Sequence, residues 1–414
     1  IAEKHESNGE RPPDSLFEEM GKQGILAARL GPGKHLKVWQ EKVMHDSNAT
    51  IFGVKPEEFD YFHERILHEE IVRCACPGFV AGIGDGHCIG APPIFQFVCK
   101  NQCVHSLTNI LNHSNTNRTQ GPAWMQDEVL PQILSGKKRI CLAISEPQAG
   151  SDVANLTTLG KRLSDGSFVV SGTKKWITQG HHADYFVVAV RTGPSGMAGL
   201  SILLLERSMD GLRTKPIKTA YSPAAGTALI IMENVKVPAR NLIGQYQQGF
   251  KAVMYNFNHE RWFINCVALS TTRSIIEETF KWIMQRKAFG KRLADQGVVR
   301  LMMAQMIGAI EPCVHWLDSI TYQMNNMSYD EQALRLAGTT SLCKYQITRV
   351  ANQVADKCTQ LFGGRGITQT GMGRYAERFN RVYKFAAILG GSEEVMADLA
   401  MRMAMKQFPS EARL

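Results

Sequence analysis

The spacing of apolar and polar positions divides the chain into three successive stretches with different periods. Apolar residues recur at helical spacing in the first third, follow a strand-like pattern up to about residue 244, and return to helical spacing beyond it. This order differs from the alternation of a doubly wound α/β sheet, so it argues against the common nicotinamide-binding fold. The pattern predicts a multidomain α+β protein with an N-terminal helical domain (1–138), a middle domain of strands (139–245) and a C-terminal helical domain (246–414).

The middle stretch contains short apolar runs with the length and composition of buried strands. These runs are Phe168–Ser171, Tyr185–Val190, Leu200–Leu205 and Leu229–Met232. Ser164–Ser167, which reads Ser-Asp-Gly-Ser, supplies a hairpin turn between two of them.

One long stretch in the last third predicts a helix with an apolar face. The residues that repeat at three and four positions are Val298, Leu301, Met302, Gln305, Met306 and Ala309. Pro312 follows them, and we expect it to kink or end the helix locally.

Composition changes this picture only slightly. Of the 414 residues, 44% are hydrophobic and 21% are charged, as in a soluble protein with a large core. The sequence contains no run of 18 apolar residues, so it predicts no membrane span. The net charge of +9 comes from dispersed Lys and Arg, which favours an enzyme with anionic ligands over a nucleic-acid-binding protein. The ten cysteines form no CxxC pair, so we interpret them as reduced thiols.

Two local patterns resemble known ligand motifs but lack their context. Gly82–Gly86 has no preceding strand and no βαβ unit, so we interpret its glycines as structural. His63 and His68, with Glu64 between them, are five residues apart and would face different sides of a helix. We therefore interpret the His63–His68 group as solvated helix residues and predict no metal site.

Four motifs decide the class. The first, Cys141-Leu-Ala-Ile-Ser-Glu-Pro-Gln-Ala-Gly-Ser-Asp152, closely resembles the signature of the acyl-CoA dehydrogenases. Gly172–Thr178, Arg286–Lys291 and Gln360–Gly366 resemble further motifs of that family and occur in the expected order. Any one motif is weak, but four in register make the resemblance specific over nearly the whole chain.

The resemblance implies an N-terminal helical domain, a middle β-barrel domain and a C-terminal four-helix bundle. It also implies FAD as cofactor, an acyl-CoA substrate, and contacts for both. The cofactor contacts it implies are Leu142, Ile144, Ser145, Trp176, Thr178, Arg286, Phe289, Gln296, Gln360, Gly363, Gly364, Ser392 and Glu394. The substrate contacts are Ser151, Asn258 and Arg261. Because family members complete the FAD site with a neighbouring subunit, the resemblance also implies a homodimer or homotetramer.

The catalytic base is the point at which the chain departs from most of the family. Gly390 stands where those members carry a Glu, within Leu389-Gly-Gly-Ser392. Asn258-His-Glu-Arg261 resembles the segment in which the isovaleryl- and long-chain-like enzymes place their base, so the resemblance implies Glu260. Glu393, one helical turn beyond Gly390, is the alternative base, although we favour helix-terminal acids as the interpretation of Glu393 and Glu394.

The implied reaction is FAD-dependent α,β-dehydrogenation of an acyl-CoA thioester to a 2-enoyl-CoA. Electrons would pass to an electron-transfer flavoprotein, another carrier or oxygen. An oxidase on the same scaffold, or a non-catalytic flavin-, acyl-CoA- or DNA-binding relative, is the alternative. Ala412-Arg413-Leu414 has the form of a peroxisomal address, and the mitochondrial matrix is the other expected location.

Overall fold

The computed structural model describes residues 1–96 and 123–409. The chain divides into two compact units: Ile1–Phe59 with Gly78–Asn256, and Asp60–Pro77 with Phe257–Leu414. The predicted three-domain division stays a prediction. The Ala412–Leu414 tripeptide lies outside the described residues.

The described residues that precede the sheet form mainly short helices. Glycines and prolines recur at their ends and keep them short; Gly24, for example, adopts a left-handed φ of 75° before one of them. The helices are α1 (Ala2–Asn8), α2 (Asp14–Lys22), α3 (Ile25–Ala28), α4 (Lys34–Val38), α5 (Tyr61–Val72, in the second unit), α6 (Pro77–Val80), α7 (Gly86–Gly90), α8 (Pro92–Gln96) and α9 (Leu130–Leu134).

The middle of the chain forms one mixed eight-stranded sheet, within which the predicted runs are strands. Its strands are β1 (Ile140–Ala143), β2 (Leu159–Arg162), β3 (Phe168–Ile177), β4 (Tyr185–Arg191), β5 (Leu200–Glu206), β6 (Leu212–Pro216), β7 (Ala228–Val237) and β8 (Leu242–Ile243). Hydrogen bonding follows the order β6-β7-β3-β2-β4-β5-β8, and β1 pairs with β4 in parallel. The Ser164–Ser167 segment forms a hairpin turn as predicted, but it joins β3 to β2, which was not among the predicted runs.

Side chains from most of these strands share one apolar core. Phe168 and Val170 of β3 lie in the same buried cluster as Val188 of β4, Leu203 of β5 and Ile230 of β7. Because strands from both ends of the sheet contribute side chains to one core, the sheet curls around that core. The burial of β4 and β5 at almost every position explains their continuous apolar sequence.

Long helices dominate the rest of the chain. They are α10 (Gly249–Gln285), α11 (Gly297–Asn325), α12 (Tyr329–Arg335), α13 (Ala337–Phe362), α14 (Arg374–Val382), α15 (Lys384–Ile388) and α16 (Glu393–Gln407). The hairpin β9 (Lys287–Ala288) and β10 (Lys291–Arg292) connects α10 to α11. Four of the helices, α10, α11, α13 and α16, pack together, which agrees with the predicted helical bundle.

Capping residues set several of the helix ends in the second unit. Asp60 and His63 form a capping box that begins α5, and Ser328 and Glu331 form another that begins α12. Gly363, with a φ of 60°, ends α13.

Helix α11 exists where predicted, but the predicted apolar repeat matches its buried face only in part. Val298 and Leu301 are mainly exposed, whereas the side chains that face the bundle are Val299, Met303, Met306, Ile310, Cys313, Leu317, Ile320 and Met324. Apolar residues on both faces made the phase ambiguous. The helix also continues through Pro312 instead of ending there.

The apolar composition of α11 is also relevant to the prediction that the chain has no membrane span. Among the described residues, α11 is the one helix long and apolar enough to cross a membrane, judged by length and composition alone. Its contacts with α13 and α5 are those of a bundle helix.

Candidate active site

A buried ion pair fixes the first signature motif in the first unit. Lys174 of β3 extends its ammonium to the turn after β1, where Nζ donates to the Ile144 carbonyl at 2.9 Å and to Glu146 Oε1 at 2.8 Å. Both charged side chains are inaccessible to solvent. Glu146 also accepts hydrogen bonds from the backbone N–H groups of Thr157 and Thr158, at 2.7 and 2.9 Å.

These contacts determine the charge state of the pair. Burial alone would raise the pKa of Glu146, but Lys174 and the threonine hydrogen bonds hold that pKa at about 2. Burial lowers the pKa of Lys174 to about 8 against the opposing effect of Glu146. The pair therefore stays ionised near neutral pH and ties the turn after β1 to the end of β3.

Trp176 projects from the second motif at an irregularity of the sheet. The register of β3 against β7 shifts between Lys174 and Ile177, and Trp176 adopts a left-handed φ of 63°. Its side chain is 48% exposed, so Trp176 is not a residue of the apolar core. Bulges of this kind re-aim side chains, and here the indole points out of the core, which leaves it accessible for the predicted flavin contact.

The other expected flavin contacts of the first unit lie on the same two segments. Leu142 and Ser145 are half-buried, whereas Ile144 and Thr178 are buried. The Lys175 N–H donates to the Ser145 carbonyl at 2.9 Å, which joins the two motifs through the backbone. Ser151, the expected substrate contact, is exposed.

We expect Trp176→Ala to weaken FAD binding about tenfold while leaving the apoprotein's stability within about 0.5 kcal/mol of wild type. The exposed indole contributes little to the core but offers a flat apolar surface to a ligand. Flavin fluorescence titration and thermal unfolding of the apoprotein measure the two quantities. Trp282→Ala is the contrasting control, because Trp282 is buried and its loss should cost about 3–5 kcal/mol. An unchanged FAD affinity in Trp176→Ala would contradict the assignment.

Three of the other expected cofactor contacts, Arg286, Phe289 and Gln296, lie on or beside the β9–β10 hairpin of the second unit. Phe289 and Gly290 form its two-residue turn with φ values of 55° and 76°, and Phe289 is 95% exposed. Such turns favour Asn or Gly, so Phe289 is an unusual residue at this position, and its cofactor role stays a prediction. Gln296 donates to the Ala288 carbonyl at 3.4 Å and so braces the hairpin, while Arg286 is exposed at its base.

The Gly363–Gly364 turn after α13 leaves its backbone accessible. A Cβ at either glycine would meet no atom within 4 Å among the described residues, and Gln360 beside them is exposed. The ring of Trp282 stacks on Phe362 with centroids 5.4 Å apart, and its Nε1 donates to the Leu361 carbonyl. An open glycine backbone on a rigid support suits close approach of a dinucleotide.

The remaining expected cofactor contacts lie at the start of α16. Ser392 is the N-cap residue, and Glu393 and Glu394 occupy the first turn, where acids complement the helix dipole. Glu394 is exposed, and its own backbone N–H and Ser392 hold its pKa below the ordinary value. Glu393 is buried, within 3.7 Å of Arg349 and 3.6 Å of Lys384. The geometry agrees with helix-terminal acids, and the cofactor roles of Ser392 and Glu394 stay predictions.

Glu260 is the buried carboxylate of α10, with 8% of the residue exposed. Its Oε2 has no hydrogen-bond partner among the described residues. Burial raises its pKa to about 7, although Arg261, Lys344 and His259 act in the opposite direction. A buried carboxylate with an unpaired oxygen and a pKa near neutrality is typical of a general base.

The carboxylate of Glu260 lies beside the glycine that replaces the customary base. A Cβ built on Gly390 would be 3.8 Å from Glu260 Oε1 and only 2.8 Å from Ile264 Cδ1. Arg261 Nε donates to the Gly390 carbonyl at 3.0 Å, and Arg261 Nη1 to Asn258 Oδ1 at 3.5 Å. Glu260 thus reaches from α10 to the place that a side chain at 390 would occupy. Asn258 and Arg261 remain predicted substrate contacts.

One cluster was misinterpreted in the sequence. Glu64 and His68 of α5 are buried, and Glu64 binds His68 Nε2 at 3.2 Å and His259 Nε2 at 2.9 Å. Burial opposes the charge on His259, but Glu64 raises the pKa of His259 above its ordinary value. The prediction of solvated residues was wrong for Glu64 and His68, and their spacing of four residues was the signal that could have indicated a shared face.

The raised pKa of Glu260 predicts that the rate of flavin bleaching by acyl-CoA depends on pH. We expect the second-order rate of flavin bleaching by acyl-CoA to rise about tenfold per pH unit below pH about 7 and to level off above it, because only ionised Glu260 accepts a proton. Anaerobic rapid mixing across the neutral range measures this profile. A profile that stays flat down to the ordinary pKa of a glutamate would contradict the role of burial.

Comparisons with known proteins identify the family of this chain. Residues 141–235 match the family model of the acyl-CoA dehydrogenase middle domain, and residues 247–405 match that of the C-terminal domain. The chain belongs to the acyl-CoA dehydrogenase family and is an oxidoreductase.

Individual relatives agree with this assignment. The acyl-CoA dehydrogenase apdG of Emericella nidulans is 36% identical over 404 residues, which cover 97% of this chain and 86% of that protein. The mitochondrial long-chain specific acyl-CoA dehydrogenase of Mus musculus is 31% identical over 283 residues, or 67% of this chain and 63% of that protein. A glutaryl-CoA dehydrogenase from Mycobacterium smegmatis in complex with FADH2 has the same fold, with a TM-score of 0.73 and 19% identity over 96% of this chain and 88% of the other.

Proposed function

We propose that Glu260 is the base that removes the α-proton of an acyl-CoA thioester during its oxidation to the 2-enoyl-CoA. The observation that carries the proposal is the unpaired Oε2 of a buried Glu260, next to the side-chain position that Gly390 leaves empty. The pKa of about 7 suits this role, because the carboxylate is available near neutral pH and remains basic.

Each part of the chain has its own task in this reaction. FAD, when bound, supplies the acceptor for the hydride that leaves the β-carbon. Trp176 offers an apolar face, and the backbone hydrogen bond from Lys175 to Ser145 holds the first two motifs together, while Glu260 takes the proton at its free oxygen. Exclusion of water by a bound acyl chain would further strengthen the base.

Glu393 is the weaker alternative base. It is buried at the start of α16, one turn beyond Gly390, with two cations nearby, and these contacts explain the residue without a catalytic role. A displacement of one helical turn, about 5.4 Å, is large when reacting atoms must approach to about 3–3.5 Å.

Anaerobic titration of the flavin-loaded enzyme with acyl-CoAs of different length and branching tests the function. We expect bleaching of the flavin absorbance by at least one member, with a matching 2-enoyl-CoA product. Absence of bleaching across short, long and branched thioesters would contradict the proposed reaction. Admitting air after reduction separates the acceptors: slow reoxidation supports a carrier such as an electron-transfer flavoprotein, and fast reoxidation supports oxygen.

We also propose that the enzyme is a homodimer or homotetramer. Phe289 is almost fully exposed at a strained hairpin tip, and Val298 and Leu301 give α11 an exposed apolar face. Both features are unfavourable in an isolated chain and favour burial against a second copy. The peroxisomal location likewise stays a proposal, with the mitochondrial matrix as its alternative, since relatives of this chain include mitochondrial enzymes.

A further inference from the structure

Lys344 is a fully buried lysine of α13 without a carboxylate in ion-pair contact among the described residues. Its Nζ donates to the Gly391 carbonyl at 2.8 Å. An ammonium group in such a place costs free energy relative to an apolar side chain of similar size. The burial of Lys344 therefore calls for an explanation other than stability.

The neighbouring contacts supply that explanation. Lys344 binds the carbonyl of Gly391, and Arg261 binds the carbonyl of Gly390 at 3.0 Å. The two glycines have φ values of 63° and 114°, so these hydrogen bonds hold a turn in a left-handed conformation. Glu260 Oε1 lies 3.8 Å from the Cβ position of Gly390, on the side of the turn that has no side chain.

We infer that Lys344 is a positioning residue for the catalytic base: it fixes the Gly390–Gly391 turn against the Glu260 carboxylate and provides that carboxylate with a compensating positive charge. The inference rests on the proposed role of Glu260. Lys344 needs no contact with substrate to act in this way, because it works through the turn and through its charge.

The charges around Glu260 determine the direction in which the loss of the Lys344 charge shifts the pKa of Glu260. His259 and Arg261 of α10 and Lys344 of α13 favour the ionised carboxylate. Glu64 and His68 of α5 face His259, and Glu393 of α16 acts on Lys344. Burial lowers the pKa of Lys344 to about 8, so the ammonium is still charged in the range where Glu260 titrates. Loss of this charge raises the pKa of Glu260 and moves its activity to higher pH.

Three substitutions of Lys344 separate the effect of its charge from the effect of its hydrogen bond to Gly391. Lys344→Met removes both, Lys344→Gln keeps an N–H donor without the charge, and Lys344→Arg keeps the charge. We expect the midpoint of the bleaching profile to move up by about one pH unit in the Met and Gln variants and to stay near wild type in the Arg variant. Lys357→Met on the same helix, where Lys357 binds Gln305 at the surface, should leave the profile unchanged.

A second readout avoids the reaction altogether. Infrared titration of the enzyme without substrate follows the protonated carboxyl band that is missing in Glu260→Gln, and this band should show the same upward shift in Lys344→Met and Lys344→Gln. Unshifted midpoints in both variants, with an inactive Glu260→Gln, would overturn the inference while leaving the base in place. An active Glu260→Gln would overturn the proposed function itself. If Lys344→Met fails to fold, the Gln and Arg variants decide.

Discussion

Replacing Glu260 with Gln should lower the rate of flavin bleaching by acyl-CoA by about 10²- to 10⁴-fold. The amide has the shape of the carboxyl group but cannot take up the α-proton at neutral pH. Bound FAD should be retained, because the interactions expected to hold it come from other residues. Anaerobic rapid mixing with a saturating acyl-CoA, together with the flavin content of the purified variant, measures both quantities.

Glu393→Gln is the matched control for this experiment. It makes the same chemical change in another buried glutamate, at the start of α16, and should bleach at close to the wild-type rate. If the Glu393 variant is inactive and the Glu260 variant is active, the base belongs to α16 and the role of Glu260 is refuted.

Replacing Glu146 with Gln should destabilise the enzyme by about 3–5 kcal/mol and reduce its flavin content. Lys174 would remain buried without its counter-charge, and the turn that carries Ile144 and Ser145 would lose the carboxylate that holds it. Denaturant unfolding, with flavin release followed in parallel, measures the loss.

Two further variants show whether the burial of the Glu146–Lys174 pair is the reason for the expected loss of stability. Arg213 and Glu233 form an ion pair in which both side chains are more than half exposed, so Glu233→Gln should change stability by less than about 1 kcal/mol. Removing both buried charges, in Glu146→Gln with Lys174→Met, should recover part of the stability lost in the single variant. Equal effects of Glu146→Gln and Glu233→Gln would contradict the proposed importance of the buried pair.

The sequence predicted the architecture well where periods were unambiguous. Tyr185–Val190 and Leu200–Leu205 lie in strands, and Ser164–Ser167 forms a hairpin turn, because continuous apolar runs and an Asp-Gly turn have few other interpretations. Strand β2 on the other side of that turn was missed, because Leu159–Arg162 contains no continuous apolar run. The predicted apolar repeat of α11 matched its buried face only in part, because apolar residues surround that helix and a period alone does not say which side a partner covers.

The candidate site was predictable only where a motif marked it. Glu260 could be named from its neighbours in sequence, but its burial, free oxygen and approach to Gly390 depend on helices more than a hundred residues apart. Lys344 had no local signal at all, since its partner Gly391 lies 47 positions away. The bulge that exposes Trp176 was equally hidden, because it arises from the register of β3 against β7.

The glycine at position 390 has a consequence for the history of this enzyme. A carboxylate could arise there only if Ile264, whose terminal methyl is 2.8 Å from the required Cβ, moved aside or became smaller, and if the left-handed backbone were given up or tolerated at a cost. Each change alone is unfavourable while Glu260 occupies the adjoining space. The two placements of the base are thus separated by less fit intermediates, and descendants of this chain are expected to inherit Glu260 and Gly390 together.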